Sequence, residues 1–105
     1  MELPNRSYID SLCRGDKVFE KRLLSVIKAE FPVEKDIYYK ALAVKNIEEI
    51  AEAVHKLKHK ISILGLEKGY ALAAQYENDI RDDKFDLAQS FEEILDSMTE
   101  YLKTL

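Results

Sequence analysis

His55, Lys58, His59 and Ser62 follow one another at offsets of three, four and seven residues from the first histidine, a spacing that gathers side chains on one face of a helix. That face is polar and offers nucleophiles. An imidazole in water titrates near about pH 6.5, so at neutral pH it keeps a nitrogen lone pair and can act as nucleophile, base or metal ligand. Lys58, one turn from His55, suits a phosphorylated product, because an ammonium can neutralise phosphoryl oxygens while the imidazole carries the group. The same lysine also suits a surface ion pair or the negative end of a helix dipole. These residues by themselves leave both readings open.

The element that must hold them is a helix beginning at Asn46. Asn46-Ile47-Glu48-Glu49 reads as a capping box, in which the Asn side chain takes the Glu49 amide and the Glu49 carboxylate reaches back. Ile47, Ile50, Val54, Leu57, Ile61 and Leu64 make an apolar stripe centred roughly 130° from the polar face, at about 100° per residue. Acidic residues open the helix and Lys56, Lys58 and Lys60 close it, as the dipole favours, and Gly65 supplies a left-handed stop. The helix is expected to run to about Leu64.

Other helices surround it. Ser7, with Asp10 at the third position, is expected to cap a short first helix carrying Tyr8, Ile9 and Leu12, which Arg14-Gly15-Asp16 ends. Asp16 caps the next, whose core side is expected to be Phe19, Leu23, Val26, Ile27, Phe31, Ile37 and Ala41. Pro32 lies inside that pattern and predicts a kink or break near Phe31. A further helix spans about 67–80, and Asp86 with Gln89 is expected to cap a last one carrying Phe91, Leu95, Met98, Leu102 and Leu105. The reading is an all-α fold: an antiparallel up-and-down four-helix bundle with a short additional N-terminal helix.

Composition narrows the function. The 105 residues fit one domain, 1–105, with 47% apolar and 34% charged residues and only three Gly and two Pro. A net charge of −4 with interspersed signs argues against a nucleic-acid partner, which needs a basic face. No membrane-spanning run or signal-peptide pattern is visible, and Cys13 stands alone as a packing residue, so a cytoplasmic location without membrane association is expected. No nucleophile paired with a base, paired buried carboxylates or phosphate-cradling Gly loop suggests an enzyme.

His55-x-Leu57-Lys58, preceded by Ala53-Val54 and followed by Leu64-Gly65, resembles the signature of histidine phosphotransfer (HPt) domains, helical bundles that shuttle phosphoryl groups in phosphorelays. Gly15-Asp16, Asn46 and the run from Leu72 to Glu77 also stand where that family has comparable residues. The resemblance implies that His55 is the phosphoacceptor and Lys58 the residue that steadies its phosphoryl group. It implies a phosphocarrier rather than a stand-alone enzyme, with receiver domains of a hybrid histidine kinase or response regulator as partners. No cofactor of its own is implied, Mg²⁺ being expected on the receiver. Lys56, His59, Lys60 and Ser62 are the expected partner-binding residues. One position departs from the pattern: His59 stands where most members have glycine, next to the lysine.

Two other readings remain. A bundle that has lost transfer would serve as an interaction module, and His59 is the feature in its favour. A metal site would use Glu52, His55 and His59 on one helical face, and, for lack of a further histidine, would borrow a carboxylate such as Glu77 or Asp79.

Overall fold

The computed structural model describes residues 2–105, and these form five helices: α1 (Ser7–Cys13), α2 (Lys17–Val44), α3 (Ile47–Ile63), α4 (Glu67–Arg81) and α5 (Ala88–Leu102). Short connections make successive helices antiparallel. Helices α2 to α5 build the bundle and α1 packs on α2, with the Arg6 guanidinium bonded to the Glu20 carboxylate. The long axis of the molecule, 44 Å, matches the length of α2, about 42 Å at 1.5 Å per residue.

Helix α3 lies between α2 and α4, and its sequence explains why. Ile50, Val54, Leu57, Ile61 and Leu64 are fully buried, as the stripe predicts, and Ala51 and Ala53 on its flanks are buried too. Small flanks let two neighbours approach at once. The core continues through Phe31 and Tyr38 of α2, Tyr76 and Ile80 of α4, and Phe91, Leu95 and Met98 of α5. The Tyr38 and Tyr76 hydroxyls share a hydrogen bond of 2.7 Å, and Tyr38 donates to Glu92 Oε2 at 2.9 Å, so one polar chain ties three helices together. Satisfied in this way, buried hydroxyls fix the register of the helices they join.

The caps fall partly as expected. Asp16 accepts from the Val18 and Phe19 amides, and Asn46 accepts from the Glu49 amide at 3.2 Å. The return half of the box is replaced: the Asn46 amide donates to the Ala41 carbonyl. Ser7 is the first residue of α1 and not its cap, and Asn5 Oδ1 takes the Ser7 amide instead. Asp86 likewise does not cap α5, because a turn at residues 85–88 delays the helix to Ala88. Gly65 closes α3 at φ +77°, and the Asn5 amide donates to the Leu64 carbonyl beside it.

Helix α2 differs most from expectation. It runs without interruption through Pro32, whose exposed ring sits on the solvent side, where a missing amide bond costs least. Its buried residues are Ile27, Phe31, Tyr38 and Ala41. Phe19, Val26 and Ile37, expected in the core, are between 43% and 48% exposed. Each has an apolar neighbour within a residue or a turn, and the core took Ile27 over Val26 and Tyr38 over Ile37.

Candidate functional site

His55 sits midway along α3 on the side that leans toward α4. Its ring is about half exposed, the side chain keeping 49% of its accessible surface. Nδ1 lies 3.3 Å from each carboxylate oxygen of Glu77, which α4 projects across the interface. Lys58 Nζ donates to Glu77 Oε1 at 3.0 Å, and Arg81 donates to Glu77 Oε2 at 3.1 Å. One carboxylate, 8% exposed, thus gathers an imidazole, an ammonium and a guanidinium.

The protonation pattern follows from these contacts. Burial alone would raise the Glu77 carboxyl, but donors from Lys58, Arg81 and His55 outweigh it and hold it below its ordinary value. Glu77 is therefore an ionised, acceptor-only partner at neutral pH, and the ring nitrogen facing it must carry the hydrogen. In the neutral ring that leaves the lone pair on Nε2. The ring borders an open cleft of about 600 Å³ lined by Ile47, Glu48, Ala51, Glu52, Glu77 and Arg81, so a partner's reactive group can reach it.

Lys58 is drawn inward by its bond to Glu77, with a side chain only 14% exposed, and its ammonium lies 5.6 Å from the centre of the Tyr70 ring. A cation held by a carboxylate and an aromatic face keeps one position. His59, one turn beyond His55, presents its ring edge to face at 4.8 Å between centroids. Lys56, His59 and Ser62 are all exposed, and Lys56 pairs loosely with Glu52 at 3.7 Å.

Lys60 belongs elsewhere. It is buried, and its ammonium pairs with Glu30 at 2.9 Å and Glu34 at 3.3 Å on α2. Five positions from His55 is about 140° around the helix, so Lys60 locks α3 to α2 instead of lining the surface near the histidine. This corrects its expected place among the partner-binding residues.

Glu77 and Arg81 are the residues that spacing arguments undervalued. The sequence reading names Glu77 as a carboxylate that a metal site would borrow and gives Arg81 no role, whereas the structure brings both to His55. The signal was present: Ala73, Glu77 and Ile80 keep core spacing, and a carboxylate in a core register requires a partner. As for a metal, no group of three or more His, Cys, Asp or Glu side chains that could hold one occurs among the described residues. His55 and His59 meet ring to ring, and the carboxylate nearest them is already shared by two cations.

A scan of family models matches the Hpt domain over residues 22–105, which takes in α3, α4 and the whole His55 cluster. The chain belongs to the Hpt domain family. Hpt domains serve phosphorelays as phosphocarriers and interact with receiver domains of two-component systems. Searches of curated proteins and of solved structures return no match. As an Hpt domain the chain is a helical bundle in the family's manner. No helix among the described residues is long and apolar enough to cross a membrane.

Proposed function

We propose that this Hpt domain is a phosphorelay carrier that takes a phosphoryl group from a receiver-domain aspartate onto His55 Nε2 and passes it to a second receiver. The observation that carries the reading is the contact of His55 Nδ1 with the buried, ionised Glu77, which leaves the Nε2 lone pair free on a half-exposed ring that lines an open cleft. In the forward step the Nε2 lone pair attacks phosphorus in line. An N–P bond forms, the P–O bond to the aspartyl carboxylate breaks, and its electron pair leaves with that carboxylate. The Nδ1 hydrogen stays bonded to Glu77, whose negative charge offsets the positive charge that develops on the ring. Lys58, one turn along α3 and bonded to Glu77, supplies the ammonium that would turn outward to the incoming phosphoryl oxygens. Return of the group to a second aspartate reverses each of these steps.

Mg²⁺ and most of the charge stabilisation belong to the receiver in this scheme, so the chain itself is a carrier. Lys56, His59 and Ser62 make the exposed surface around the histidine and supply partner contacts. Incubation with a receiver carrying labelled phosphate tests the reading. The protein should acquire an acid-labile, base-stable label that His55→Gln abolishes; a label that survives this substitution refutes it.

A further inference from the structure

The outer side of α2 carries exposed apolar side chains from one end to the other, interrupted by Arg22, Asp36 and Lys40. Val18, Val26, Ala29, Val33, Ile37 and Val44 recur at intervals built from threes and fours, and at 3.6 residues per turn they fall within a sector of about 100°. Ile27, Phe31 and Tyr38 face the core from the opposite side. All six are exposed, the five larger ones by 45% to 73%. The contact that seats α1 on this helix is made by Glu20, which shares the side of Ile27 and leaves the outer stripe free. A line of apolar side chains this long on a small domain marks an interface.

The charges on the stripe identify its occupant. We infer that a second copy of the chain packs there, the two α2 helices lying antiparallel about a two-fold axis through Ala29. Residues equidistant from Ala29 then face one another. Arg22 and Asp36, each seven positions from the axis, are opposed in both halves of the interface. Val26 and Val33, three and four positions from the axis, pack side by side with an offset of about 1.5 Å, Val18 meets the aliphatic stem of Lys40, and the small Ala29 permits close approach at the centre. Moving the axis two residues toward the C-terminus would oppose Arg22 to Lys40, like against like, so the charges select the register. Asp36 currently pairs with Lys40 at 2.9 Å with both side chains more than half exposed, a contact that costs little to exchange. A positive arm and a negative arm disposed symmetrically on one helix complement themselves without a foreign partner. His55 leans toward α4, on the far side of α3 from Lys60 and α2, so both clefts stay open in the pair. The inference does not depend on phosphotransfer.

Sedimentation velocity on the full chain tests it, with circular dichroism to confirm that each variant is folded. The wild type should sediment at about twice its 12.2 kDa mass. Arg22→Asp and Asp36→Arg should each be monomeric, and an equimolar mixture of the two should recover the dimer, because each restores the other's opposed pair. Val33→Asp should be monomeric and not rescued by either. A wild type that stays monomeric throughout its soluble range, or a dimer indifferent to the charge reversals, overturns the proposal. So does a monomer in which Val33→Asp weakens receiver binding instead, since the stripe would then belong to the receiver.

Discussion

His55 and Glu77 are 22 residues apart in the chain and 3.3 Å apart across the α3–α4 interface, with Nδ1 of the ring against a carboxylate that also binds Lys58 and Arg81. In the proposed transfer this pairing sets which nitrogen attacks. Glu77→Gln keeps the volume but presents an amide that can donate or accept, so the ring loses its fixed tautomer. Phosphoryl transfer to His55 should slow by about tenfold, equivalent to about 1.4 kcal/mol of barrier, measured with a labelled receiver under single-turnover conditions.

The same carboxylate makes stability depend on pH. Burial pushes the Glu77 carboxyl up, but its three donors outweigh burial and hold it below the ordinary 4.5. Its contribution is therefore complete above the unfolded-state value and is lost as pH falls through the lower folded-state value. Urea denaturation across pH should show stability declining below about pH 4.5, with a shallower decline in Glu77→Gln.

Lys60 should separate stability from chemistry. Lys60→Met leaves Glu34, already with one oxygen lacking a hydrogen-bond partner, without its counter-charge on the inner side of α2. The loss should be about 1–3 kcal/mol by denaturant titration, with the transfer rate unchanged. Burial lowers the Lys60 ammonium, but Glu30 and Glu34 outweigh it and raise its pKa. Its contribution is therefore held below about pH 10.5 and lost as pH rises through the folded value.

His59 stands one turn along the same face as His55, the two rings edge to face at 4.8 Å between centroids. His59→Gly removes that edge at a helix cost of about 1 kcal/mol. Receivers that label the wild type slowly should label this variant faster, in a panel of receivers compared at equal concentration.

Gly65 sits at φ +77°, and a Cβ there would meet the Asn5 side chain at 2.5 Å. Gly65→Ala should destabilise the fold by about 1 kcal/mol and release Asn5 from the Ser7 amide, seen as faster hydrogen exchange at Ser7.

The bundle and the histidine face were legible because α3 repeats its apolar stripe without ambiguity and ends on a glycine. Ile50, Val54, Leu57, Ile61 and Leu64 all went where their spacing sends them. The periodicity of α2 did not resolve, because that helix carries two apolar sides and single-chain spacing cannot tell which one the core takes. The break expected at Pro32 does not form for a related reason: its ring faces the solvent, where the missing amide bond costs least, and sequence alone does not state which way it faces. Glu77 could be named only as one of two carboxylates to borrow, alongside Asp79, because the pairing joins two helices, and only the docking of α4 on α3 decides which carboxylate arrives. Lys60 looked like its exposed neighbours until the side of α3 that meets α2 was known.

Each of the closest helix pairings, α2 with α3 and α3 with α4, joins elements adjacent in the chain, while α5 touches α2 more sparingly. Most native contacts therefore form without closing a long loop, which favours folding on the microsecond to millisecond scale. Joining α5 to α2 closes a longer loop, and the Tyr38–Glu92 hydrogen bond, between residues 54 apart in the chain, is one of the contacts that this closure completes.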